Sequence, residues 1–82
     1  MAKYRRKALT LDCEQFLKDR PIPNGIVEIV SNQFIVCNAE YQQFLPIRHN
    51  DWIVYGVDGF NYPLSPELFK KLFEVNDYLG EG

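Results

Sequence analysis

The side chains in this chain that could do chemistry are few and widely spaced. One histidine, His49, stands beside Arg48 and near Asp51, an arrangement that could serve as an acid–base or anion site. Two cysteines, Cys13 and Cys37, are the other candidate reactive groups. A nucleophilic thiol needs an adjacent base to activate it, and no motif frames either cysteine. A second histidine that would complete a dyad is absent from the sequence. Zinc-type sites draw three or four ligands from recognisable spacings, which positions 13, 37 and 49 do not supply. The carboxylates read as structural: Asp58 belongs to a turn, Glu67 to a helix start and Asp12 to a cap. No glycine-rich phosphate loop occurs. These residues predict a protein that is not an enzyme and holds neither cofactor nor metal.

Binding is the better-signalled chemistry. Lys3, Arg5, Arg6 and Lys7 surround Tyr4 and hold four of the nine basic side chains. In an extended arm Lys3, Arg5 and Lys7 share one side, suited to phosphates, with Tyr4 available to stack on a base. The same charges on a solvated terminus would keep an edge strand from pairing with other chains. Five tyrosines, six phenylalanines and Trp52 exceed what one small core can hide. The surplus points to a contact surface, with Tyr41, Tyr55, Phe60 and Tyr62 as its candidates and Arg48 beside them.

Composition narrows the class. With 82 residues, 46% hydrophobic and 24% charged, the chain suits one folded domain over residues 1–82, with 1–7 as a basic arm and 76–82 as a flexible tail. A net charge of −2 argues against nucleic-acid binding by the surface at large. No apolar run approaches the ~20 residues of a membrane helix, and nothing hydrophobic follows the basic start as a secretory signal would require. The expectation is a cytoplasmic protein with free, buried thiols.

The elements that must position these residues are clearest between Asn50 and Phe73. Trp52-Ile53-Val54-Tyr55 has strand composition and is apolar on both faces, which predicts a central strand covered on both sides. Gly56-Val57-Asp58-Gly59 predicts a hairpin turn, Phe60 to Tyr62 the returning strand, and Pro63 its end. Ser65 as N-cap, Pro66 at N1 and Glu67 in the first turn predict a helix, with Leu64 and Phe69 spaced as a staple. Leu68, Phe69, Leu72 and Phe73 would form its buried stripe.

Upstream, Ala8 to Leu11 reads as a weak strand. Cys13, Phe16 and Leu17 are spaced for a short helix, stopped by Arg20-Pro21-Ile22-Pro23-Asn24-Gly25. Ile26–Val30 and Phe34–Cys37 predict a hairpin, Asn38 to Gln43 a loop or strand extension, and Phe44–Ile47 an edge piece. The sum is an α+β fold. A small antiparallel sheet of four to five strands, flat or curved into a partly closed barrel, is packed by a C-terminal helix and a short N-terminal helix.

Two stretches carry a resemblance. Lys3-Tyr4-Arg5-Arg6-Lys7 is similar to the Lys-Tyr-Arg-Lys-Lys-Pro start of a family of small tailed-phage and prophage proteins. Asp51-Trp52-Ile53-Val54, Gly56-Val57, Gly59, Tyr62-Pro63, Pro66 and Leu68-Phe69 resemble that family's Gly-Asp-Trp-Ile-Ile-x-Gly-Val-x-Gly-Glu-x-Tyr-Pro-Cys-Lys-Pro-Asp-Ile-Phe-Glu ending. Asn50, Phe60 and Leu64-Ser65 depart from it. The resemblance implies a phage accessory protein in the bacterial cytoplasm and carries no catalytic residues. Joined to the aromatic surplus, it yields the expectation of a binder of a host protein, such as a defence or regulatory factor. A homo-oligomer and a nucleic-acid or nucleotide ligand on the basic arm are the other expected partners.

Overall fold

The computed structural model describes residues 2–4 and 9–74. Its elements are β1 (Asp12–Gln15), β2 (Ile26–Val30), β3 (Gln33–Asn38), a 3-10 turn (Ala39–Tyr41), β4 (Gln43–Ile47), β5 (Trp52–Tyr55), β6 (Asn61–Leu64) and α1 (Pro66–Leu72). The α+β class holds. The strands, however, are six, and they divide into two antiparallel three-stranded sheets, β1-β5-β6 and β2-β3-β4. No ladder among the described residues joins them into one sheet or closes a ring.

The expected N-terminal helix is not formed. Asp12–Gln15 is strand β1, pairing from Asp12 opposite Tyr55 to Gln15 opposite Trp52. So short a segment cannot offset the cost of helix nucleation by itself, whereas an open flank of β5 supplies backbone partners along its whole length. The apolar spacing that suggested a helix serves another purpose. Phe16 is fully buried between the sheets, and its N–H donates to Asp51 O at 2.7 Å while its C=O accepts from the Asn50 N–H at 2.8 Å. Leu9 and Thr10, part of the weak strand expected before it, lie outside any strand.

β5 is central, as its composition predicts. Ile53 faces the other sheet with Phe16, Ile26, Val36 and Ile47, and Val54 is buried on the opposite side. The turn after it depends on two glycines. Gly59 adopts φ +86°, and a Cβ on Gly56 would collide with the Phe60 carbonyl oxygen. Asp58 Oδ1 accepts from the Phe60 N–H at 3.1 Å and completes the loop. Pro63 does not end the pairing: β6 continues to Leu64, with Pro63 opposite Ile53. β6 is an edge strand, so a residue lacking N–H is tolerated on its open side.

The helix is capped as the sequence predicts, with Ser65 Oγ accepting from the Leu68 N–H at 3.2 Å and Pro66 in the first turn. Its stripe is only half used. Leu68 and Leu72 are 47% and 56% exposed, and no residue of α1 is fully buried. What docks the helix is aromatic: Phe69 lies parallel on Trp52 with ring centroids 3.9 Å apart, and Phe73 follows it at 5.2 Å. Seven residues make too few turns to bury both sides of the stripe against a three-stranded sheet, so the side that meets Trp52 is kept.

The two sheets are tied at one buried polar point. Asn38, 4% exposed at the end of β3, donates from Nδ2 to Asn61 O at 2.7 Å and accepts at Oδ1 from the Asn61 N–H at 2.8 Å. Its carboxamide thus acts as one residue of strand partner for β6. Asn38→Ala leaves a partly buried N–H and C=O of Asn61 without partners. Urea unfolding should show a loss of roughly 2–3 kcal/mol, well above the effect of a surface substitution.

Candidate functional site

The layers stack unequally. α1 covers the side of the β1-β5-β6 sheet that carries Trp52 and Val54, and the β2-β3-β4 sheet covers the other. Cross-strand partners share a face. On the second sheet Ile26, Val36 and Leu45 form one row, and Phe34 and Ile47 belong to the next, all toward the core. The remaining rows point away from it: Val27 opposite Ile35 opposite Pro46, Cys37 opposite Phe44, and Val30 opposite Gln33. An antiparallel sheet with one wet side usually presents polar residues there. Here that side has apolar residues apart from Gln33, and no described element covers it. Val27, Val30 and Phe44 are 44%, 57% and 54% exposed.

Several residues singled out from the sequence lie elsewhere. Tyr41 and Phe60 meet edge to face at 5.4 Å, and the Tyr41 hydroxyl donates to Asp58 O at 2.7 Å, joining the 3-10 turn to the β5–β6 turn. Tyr62 sits opposite Val54 on the helix-covered side of its sheet, and is half-buried. Arg48 is exposed in a turn closed by its own N–H donating to Asp51 Oδ2 at 3.0 Å. Tyr4 is 93% exposed, Lys3 is exposed with it, and Arg5, Arg6 and Lys7 lie outside the described residues, as does the expected tail over 76–82. The described candidates therefore do not converge on one patch.

Tyr55 faces an open depression of about 570 Å³ between the β1-β5-β6 sheet and the loop before β2, shared with Asp12, Cys13, Glu14, Asn24, Gly25 and Asn61. Its hydroxyl lies 2.9 Å from Glu14 Oε1 and 3.0 Å from Asn24 O, so it bridges β1 to the loop entering β2. Burial, then the hydrogen bond to Glu14 and the negative charges of Glu14 and Cys13, pushes this phenol up to about 12. Burial and the adjacent Asp12 likewise raise the Cys13 thiol, which keeps it protonated and poorly nucleophilic. Both cysteines are free. His49 is occupied through Nδ1, which accepts the Lys18 N–H at 3.0 Å. Among the described residues no group of three or more His, Cys, Asp or Glu is placed to hold a metal ion. No helix among them is long and apolar enough to cross a membrane.

The outer face of β2-β3-β4 is the feature that residue-by-residue reading missed. Its signal was present in Ile26–Val30 and Phe34–Cys37, which are apolar at nearly every position instead of alternating. That pattern fits a strand with no wet side.

Compared with family models, curated proteins and solved structures, the chain matches none of them at a significant level.

The raised Tyr55 pKa fixes a sign. The folded value lies above the ordinary phenol value of 10.0, so the contribution is complete below pH 10 and is lost as pH climbs toward 12. In an absorbance titration of the folded protein, the latest phenol to ionise should be the one missing from Tyr55→Phe. The alkaline fall in stability of the wild type should be shallower in that variant.

Proposed function

We propose that this protein works by binding another protein, and that its contact surface is the outer face of the β2-β3-β4 sheet. The observation that carries the reading is the unshielded apolar row structure of that face, from Val27 and Ile35 to Phe44. Exposed contiguous apolar surface on a small protein usually marks an association site.

The resemblance to tailed-phage and prophage proteins supplies the setting. In this reading the chain is a phage accessory protein without enzymatic activity, and its target is a host protein in the bacterial cytoplasm. A defence or regulatory factor is the kind of target such a setting implies. Inhibition then follows from occupancy: an apolar sheet face laid over a functional surface excludes that surface's usual partner.

Full-length chain fixed to a support should retain a specific bacterial protein from lysate, and the purified pair should re-form in a binding assay. Phe44→Glu should weaken that pair by roughly 100-fold, the penalty of leaving a charge against an apolar contact. Because Phe44 is already exposed in the single chain, the variant should keep the wild-type melting behaviour in dilute solution. Retention that is unchanged by Phe44→Glu would contradict the assignment of this face.

A further inference from the structure

We infer that, without another partner, the outer face of the β2-β3-β4 sheet is covered by a second copy of this chain, the two packed face to face about a two-fold axis. The inference rests on the reading of that face as a docking surface and names its resting occupant.

Two observations select this occupant. The first concerns charge. The rows around Val27, Ile35 and Phe44 contain no ionised side chain, so two identical faces meet without opposing like charges. The chain is otherwise rich in charge of both signs, with 9 basic and 11 acidic residues, and Glu28, the one acidic residue of these three strands, falls in the other row, opposite Phe34. A charged partner would find nothing here to pair with, whereas a second copy is apolar wherever the first is. The second observation concerns edges. Strand addition is impeded at every edge of both sheets: Pro46 interrupts β4, Pro63 interrupts β6, Asp12 and Glu14 charge β1, and a register shift between Glu28 and Val30 kinks β2. Association is therefore steered away from edge pairing and toward the face. Sheets pack face to face across apolar surfaces, and the inner side of this same sheet already meets β1-β5-β6 through Phe16, Ile26, Val36, Ile47 and Ile53.

The geometry also limits the strength. Three short strands offer a contact at or below the low end of stable interfaces, roughly 1,200 Å² in total. The dimer is thus reversible, and a better-fitting protein can displace the second copy. Self-association becomes a cover that keeps the apolar face from indiscriminate contacts until the target is met.

Sedimentation equilibrium of the full chain, from micromolar to millimolar, tests this. The expected result is a monomer–dimer equilibrium whose dissociation constant rises about tenfold or more in Phe44→Glu and again in Val27→Lys. Leu72→Glu, on the exposed side of α1, should leave it unchanged. A wild-type monomer throughout the range, or a dimer indifferent to both face variants, overturns the inference. Folding of each variant is checked by its melting curve, and the two substitutions stand independently. Failure here is separable from failure of the binding reading. A strict monomer that still captures its target through Phe44 removes only the dimer, and a Phe44-dependent dimer with no target removes only the host-binding role.

Discussion

The fold depends on one side chain standing in for a strand. β3 and β6 belong to different sheets, and between them the Asn38 carboxamide answers both the N–H and the C=O of Asn61. A hydrophobic core sets how far apart two sheets sit but is indifferent to sliding. A donor and acceptor held at 2.7 and 2.8 Å are not indifferent, since any slip leaves buried polar groups unmet. The clamp therefore gives the inter-sheet packing its register. The neighbouring bond from the Cys37 N–H to Gly25 O, at 2.7 Å, fixes the entry to β2 in the same region. Gly25 itself adopts φ +92° and has the Asn61 side chain close by, so the loop, the clamp and the β6 strand are set together.

With register fixed, the distribution of apolar surface follows. The β1-β5-β6 sheet is enclosed, by the other sheet on one side and by the Trp52–Phe69–Phe73 stack on the other. Among the described residues the β2-β3-β4 sheet is enclosed on one side only. Its strands are nevertheless as apolar as those of a sheet covered twice. That mismatch between sequence and cover is the physical basis for assigning a binding role to the face. The proposed binding and the stability make separate demands, because the residues of the outer rows lie outside the inter-sheet core.

How much of this was legible depended on whether a local signal agreed with its tertiary setting. The β5 strand, the Gly56–Gly59 turn and the Ser65 cap were readable because composition, turn chemistry and helix entry all pointed the same way over Trp52 to Leu72. The Phe44–Ile47 edge strand was readable for similar reasons. Asp12–Gln15 was misread because Cys13, Phe16 and Leu17 have helical spacing, and only the partner strand reveals that Phe16 is instead the end of an edge. The extent of β6 was underestimated because the proline rule for strands is a rule about interior strands. Leu68 and Leu72 were assigned to the core on periodicity alone, without the width of the sheet they would need to cover. Of the candidate contact residues, Tyr55 proved to be a bridge between elements, and the exposed face lay in strands whose existence had been read correctly. What the strands' sequence could not state was which side would be left open, since that depends on how two sheets meet.

The account turns on Val27, Val30 and Phe44 facing outward while Ile26, Val36, Ile47 and Ile53 face inward, and methyl-resolved NMR of dilute protein with a soluble paramagnetic agent addresses this directly. The account predicts strong broadening of the Val27, Val30 and Ile35 methyl signals, with those of Ile26, Val36, Ile47 and Ile53 left sharp. Equal protection of both sets would mean that the outer rows are already covered within one chain, and the binding face assigned here would not exist.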